Sequence, residues 1–134
     1  MRDVRHMTIA AVIAIAQAER DGEIRPISAA DLGKRFAGNP RSLEMPLRRL
    51  RRAGVLESIH GAFGGYRLAW PPDVVTLGNI VDAIEPPGED IKTTSDRAVI
   101  LATVAMGRAS DAARAVLYQT KLAELLAYIP AEAA

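Results

Sequence analysis

Apolar residues at the start of the chain recur with helical spacing. Ile9, Val12, Ile13 and Ala16 fall at i, i+3, i+4 and i+7, one face of an amphipathic helix that runs from about Val4 to Arg20 and stops at Asp21-Gly22. Ser28 then precedes an apolar stretch as a helix N-cap, with Asp31 as the acidic residue of a capping-box-like pair and Ile27 and Leu32 placed for a hydrophobic staple. Ala37-Gly38-Asn39-Pro40 is a turn signal, so this second helix is short. A third helix is predicted from about Pro40 to Ala53, closed by Gly54.

The period then changes. Val55–Ile59 and Tyr66–Ala69 read as two short strands around His60-Gly61-Ala62-Phe63-Gly64-Gly65, whose glycines suit a hairpin loop. Pro71-Pro72 stops the second strand, and Thr76 caps a fourth helix with the stripe Leu77, Ile80, Val81, Ile84, ended by Pro86-Pro87. From Asp96 to about Tyr128 the chain reads as helical, interrupted at most near Gly107-Arg108-Ala109-Ser110. Leu117, Leu122, Leu125 and Ile129 are too apolar for a lone solvated helix, so this segment must pack on something.

Two helices joined by a tight turn and followed by a hairpin predict a mainly α fold with a small β-hairpin wing: a winged helix-turn-helix plus a long C-terminal dimerisation helix. The expected organisation is a DNA-binding domain over 1–85, a variable loop over 86–95 and a dimerisation region over 96–134. The expected dimer face comprises Val104, Val116, Leu117, Leu122, Leu125 and Ile129, since a winged domain this small cannot cover them alone.

The formal net charge of this 134-residue chain is only +1, so overall charge announces no nucleic-acid partner. Its distribution does, because from Arg41 to Arg52 five arginines face the single acid Glu44. The chain has no cysteine, which excludes disulfides and thiolate-ligated metal. Its two histidines, His6 and His60, are far apart in sequence, a poor start on a metal site. The basic, apolar N-terminus superficially imitates a signal peptide, but the run is too short to span a bilayer and its spacing is that of a core-facing helix. The expectation is a cytoplasmic protein without metal, cofactor or membrane partner.

On a wheel of about 100° per residue, Leu43, Leu47 and Leu50 of the third helix share one face. Arg41, Met45, Arg48 and Arg52 lie opposite, flanked by Glu44 and Arg49. A helix entering the major groove of double-stranded DNA needs this division, with its N-terminal half nearest the bases. Arg41 can pair with guanine and Glu44 can accept from a cytosine amino group. Arg48, Arg49 and Arg52 suit phosphates. Pro46 is awkward, because an interior helical proline costs about 3 kcal/mol. Either the helix is bent or it starts late, with Ser42 as an alternative N-cap; the late start is the expected solution.

The runs Ile27-Ser28, Asp31-Leu32, Ser42-Leu43-Glu44, Leu47 to Leu56, Gly61-Ala62-Phe63-Gly64-Gly65-Tyr66-Arg67-Leu68-Ala69 and Val75 to Glu85 together resemble the Rrf-two family, that of the iron–sulfur cluster regulator. The resemblance implies a bacterial transcription factor that dimerises through its C-terminal helix on a palindromic operator. It matches Ser42 and Glu44 to base-reading positions and Gly61–Gly65 to a minor-groove wing. The candidate DNA contacts are therefore Ser28, Arg41, Ser42, Glu44, Met45, Arg48, Arg49 and Arg52, with His60, Gly61, Ala62, Gly64 and Gly65 of the wing.

Three departures stand out. His60 replaces a usual wing arginine, Pro46 replaces an ordinary helical residue, and the segment matching the cluster loop, Pro86–Ser95, holds none of the three cysteines that many members use. A thiolate-held cluster cannot form here. The sequence thus predicts a regulator, most simply a repressor, acting as a homodimer. The alternative is a degenerate interaction module that dimerises without reading an operator. Catalysis lacks candidates: there is no cysteine, no nucleophile elbow and no phosphate loop, and Ser58 and Ser110 have no base nearby in sequence. A small-molecule effector is compatible with the chain, but no residue set points to one.

Overall fold

A computed structural model describes residues 3–85 and 95–131. In chain order they form α1 (Val4–Arg20), α2 (Ala29–Ala37), α3 (Glu44–Arg52), β1 (Leu56–Ile59), β2 (Gly65–Leu68), α4 (Leu77–Ile84), α5 (Arg97–Gln119) and α6 (Leu122–Leu126). The expected loop over 86–95 lies outside the described residues except for Ser95.

The core lies where α1 to α4 and the hairpin meet. Val12 and Ile15 of α1, Leu32 of α2, Leu47 and Leu50 of α3, Leu43 before it, Leu56 of β1 and Ile80 of α4 are all buried. Burying each such side chain is worth about 1.5–3 kcal/mol. The buried face of α1 is wider than the sequence expectation: Val12 and Ala16 of the expected stripe are buried together with Thr8, Ala11, Ala14 and Ile15, while Ile9 and Ile13 are half-buried and packed against the core. The Thr8 hydroxyl tolerates burial because it donates to the Val4 carbonyl at 2.7 Å.

The caps of α2 and α4 fall where the sequence places them. The Ser28 hydroxyl accepts from the Asp31 amide at 3.1 Å, and Thr76 and Asn79 form a reciprocal capping box at α4. Gly33, one turn before the end of α2, lets the chain fold back on itself. A Cβ there would sit 2.4 Å from the Asn39 carbonyl oxygen, so the tight helix-turn-helix connection requires glycine.

The third helix starts late, as Pro46 demands. Residues 40–43 are a turn, with the Asn39 side chain accepting from the Arg41 amide at 2.8 Å. Pro46 is the third residue of α3, within the first turn, where an amide would have no intrahelical partner. It is also buried. Ser42 is not the N-cap; Leu43 holds that position without a side-chain bond, its isobutyl group being committed to the core.

β1 and β2 pair antiparallel, with Leu56 opposite Leu68 and Ile59 opposite Gly65. Ile27 adds a one-residue third rung by exchanging hydrogen bonds with Tyr66 at 3.0 and 2.8 Å. Periodicity cannot reveal a single bridging residue, and the sequence did not predict it.

The largest correction concerns the C-terminal region. Its helix runs straight through Gly107–Ser110 and breaks instead at Thr120-Lys121, where the backbone is extended and Lys121 bridges to Thr76. The break turns α6 back onto the winged domain. Leu122 is completely buried and Leu126 nearly so, both in the common core with α1. Arg20 clamps the end of α6, donating to the Leu126 and Ile129 carbonyls at 2.8 and 2.9 Å. Leu122, expected at a dimer face, is therefore a core residue. Leu125 and Ile129 are half-buried beside it.

Helix α5 differs from every other long helix of the fold. None of its residues is buried. It meets α4 through Asp82, which accepts from Arg114 at 2.7 Å and from the Tyr118 hydroxyl. Donating to that carboxylate raises the phenol of Tyr118 above its ordinary range.

Candidate nucleic-acid interface

Helix α3 is held by its leucine face and presents the rest outward. Glu44, Met45, Arg48 and Arg52 of α3 and Arg41 and Ser42 in the turn before it are all exposed. Met45 keeps 51% of its surface in solvent despite its apolar side chain. Ser28 caps α2 with its hydroxyl turned to the helix amides, an N-terminus with the partial positive charge that suits a phosphate.

The two arginines flanking this face diverge. Arg49 is half-buried and donates to the Ile84 carbonyl at 2.9 Å, tying α3 to the last turn of α4. That contact directs it away from the exposed face on which the sequence grouped it. Arg51, absent from the sequence-based set, lies on the other flank. With Arg48 it lines a cleft of about 310 Å³ whose far wall is Ser58, Ile59, His60, Gly65 and Tyr66 of the hairpin. Its signal was present in the wheel, on the Glu44 side, but only the position of the hairpin gives it meaning.

In the wing, His60, Gly61 and Ala62 are exposed, while Gly64 and Gly65 are half-buried. Gly65 is a packing residue: a Cβ would lie 2.4 Å from the Ile27 backbone, so glycine is what allows the third rung to form. Arg67 on β2 is neutralised by Glu57 across the ladder at 2.5 Å. Beside them, partial burial raises the Glu19 carboxyl above its ordinary range, although it accepts from the Leu68 amide.

Phe63 at the loop tip is 74% exposed, with the Arg25 guanidinium 5.2 Å from its ring centre. Neither residue stood out in the sequence.

The donor set does not suit a thiolate-held cluster, since the whole chain lacks cysteine. Among the described residues no three histidines or carboxylates converge on a metal-sized space. His6 lies against Asp3 at the start of α1, and His60 is on the hairpin. Glu89 and Asp90 lie outside the described residues. Among those described, no helix is long and apolar enough to cross a membrane.

Comparison with known proteins agrees with this geometry. The signature of the Rrf2 family, described as "Iron-dependent Transcriptional regulator", matches residues 4–128. The chain is similar to the HTH-type transcriptional regulator CymR of Bacillus subtilis, 32% identical over 120 residues that cover 90% of this chain and 86% of the relative. It is also similar to protein rrf2 of Nitratidesulfovibrio vulgaris, 31% identical over 111 residues, 78% of this chain and 74% of that one.

Among solved structures, that of CymR (YrzC), the global cysteine regulator of B. subtilis, superposes with a TM-score of 0.72 at 28% identity, covering 97% of this chain and 98% of that one. IscR of T. potens gives 0.71 at 26% identity, covering 100% and 91%. These relatives are transcriptional regulators and not enzymes. The chain belongs to the Rrf2 family of winged helix-turn-helix, DNA-binding transcriptional regulators.

Proposed function

We propose that this protein is a sequence-specific repressor that binds a palindromic operator as a homodimer and works without an iron–sulfur cluster. The observation that carries the DNA-reading half is the division of α3, with Leu43, Leu47 and Leu50 in the core and Arg41, Glu44, Met45 and Arg48 facing out beside the wing. In this reading Arg41, Ser42 and Glu44 meet base edges, and Arg48, Arg51, Arg52 and the N-terminus of α2 at Ser28 meet phosphates. His60, Gly61 and Ala62 touch the duplex beside the recognition helix. Arg49, engaged on Ile84, is left out of the contact set.

The dimer half rests on α5. A helix of 23 residues with none buried, exposing Leu101 at 69%, Val104 at 51% and Val116 at 62%, calls for a partner surface. A second copy of the same helix supplies it by two-fold symmetry and sets two recognition helices about 34 Å apart, one turn of DNA. Occupancy of such a site by the dimer gives repression by occlusion. Acting on an operator places the regulator in the cytoplasm, and the absence of cysteine favours control by a metabolite, a partner protein or its own abundance rather than by cluster chemistry.

Binding of fluorescent duplexes drawn from genomic fragments tests the reading side. Glu44→Ala is expected to relax the preference at one base-pair position, by about 1–3 kcal/mol. Arg48→Ala is expected to weaken all sequences alike and to flatten the log K against log[salt] slope by about 0.9. Wild-type behaviour by both variants would mean that α3 is not the reader.

A further inference from the structure

We infer that Arg25, held over the exposed ring of Phe63, is a phosphate contact of the wing, so that the DNA-binding surface reaches beyond the helix-turn-helix to the segment before α2. The inference rests on the DNA-binding reading above and extends it to a residue outside the two reading elements.

The wing needs a cation from elsewhere. Residues 61–65 of the loop carry no charge, and Arg67, the strand arginine, is neutralised by Glu57. Arg25 fills that gap. It is exposed, pairs with no carboxylate among the described residues, and lies 5.2 Å from the centre of the Phe63 ring. A ring 74% exposed at a hairpin tip does nothing for the core. Its π face does attract a guanidinium, which fixes where that charge is presented.

The backbone around Arg25 is braced as well. Its amide donates to the Glu23 carboxylate at 3.0 Å, and two residues later Ile27 is locked onto Tyr66 by two hydrogen bonds. Gly65 lets that rung close. One residue further, Ser28 starts α2, whose N-terminus suits a phosphate. Arg25 therefore sits between the wing tip and a helix N-terminus. A guanidinium stacked on a ring face keeps its outer N–H donors open to phosphate oxygens.

The test uses the full chain and a fluorescent duplex carrying a site recovered by footprinting, titrated across a salt series. Arg25→Ala is expected to weaken binding about eightfold near 0.1 M salt and to lower the salt slope by about 0.9, the signature of one lost phosphate contact. Phe63→Leu keeps the charge but removes the π face, so it is expected to weaken binding about two- to threefold with the slope retained. The double variant is expected to bind no worse than Arg25→Ala alone, because Phe63 acts through Arg25.

Wild-type affinity and slope for Arg25→Ala would overturn the inference, as would fully additive effects in the double variant. Arg48→Ala, titrated alongside, separates the two levels. If it loses affinity while Arg25→Ala does not, only the Arg25 contact falls; if neither loses affinity, the DNA-binding reading of this face falls with it.

Discussion

Helices α3 and α5 both carry apolar and charged residues, and the chain treats their apolar faces in opposite ways. In α3 Leu47 and Leu50, with the N-cap Leu43, point into the core, and every exposed neighbour is polar except Met45. In α5 nothing is buried, and Val99, Ile100, Leu101, Val104 and Met106 in its first half and Val116 near its end stay in solvent. A helix that has satisfied its apolar face inside its own domain can devote the other face to a polar partner. A helix that has not satisfied it must find an apolar partner outside. The contrast underlies the proposal of DNA for α3 and a second copy of the chain for α5, and α6 marks the border between them because it has returned to the core.

That border is where the comparison breaks most easily. Leu122→Ala is expected to destabilise the fold by about 2–5 kcal/mol, the cost of a cavity in a well-packed core. Urea unfolding followed by circular dichroism would register it as a lower midpoint. A variant that keeps wild-type stability and merely dissociates would move α6 to the interface side.

The reverse behaviour is expected in α5. Leu101→Glu combined with Val104→Glu leaves the helical signal of the folded protein unchanged and gives monomers in sedimentation. Operator affinity then falls by at least about 100-fold, because two linked half-site contacts become independent. A dimer that survives both charges would show that another surface carries association.

Within α3 the same logic separates neighbours. Arg49→Ala is expected to cost about 1–2 kcal/mol of stability by removing its charged hydrogen bond to Ile84. Its salt slope for DNA should remain that of wild type, in contrast to Arg48→Ala. A flattened slope for Arg49→Ala would return it to the contact set.

The smallest effect concerns Glu19, whose carboxylate accepts from the Leu68 amide at the end of β2. Burial raises its folded-state pKa, so the protonated form is favoured in the folded chain. Its contribution to stability is therefore full below the ordinary carboxyl range and is lost as pH rises through the raised value. Glu19→Gln, which keeps an acceptor for the Leu68 amide, is expected to raise Tm at neutral pH by at most about 2 °C and to leave it unchanged at acid pH. A lower Tm at neutral pH would show that the attraction of Arg67 outweighs the burial.

Much of this was legible in the sequence because it is local. The Leu43/Leu47/Leu50 stripe, the Ser28 and Thr76 caps and the hairpin between Val55 and Ala69 follow from spacing and residue type alone, and all appear in the structure. Pro46 was legible as a constraint, and the fold resolves it by starting α3 at Glu44.

What escaped depends on where a face points, not on whether a face exists. Leu122 has the same helical spacing whether it meets its own core or a partner, and only the break at Thr120 decides. Arg51 and Arg49 are equivalent on a wheel until the wing occupies one flank of α3 and α4 the other. Phe63 and Arg25 lie 38 positions apart in sequence and meet only because the single rung at Ile27 closes.

Footprinting by hydroxyl radicals, with the purified protein on genomic fragments at salt high enough to suppress non-specific binding, tests the central claim most directly. The account predicts two equivalent protected half-sites related by a dyad and about one helical turn apart, roughly 34 Å, with both lost together in the Leu101→Glu/Val104→Glu variant. Protection of no specific site, or of one half-site that the variant leaves intact, would contradict it.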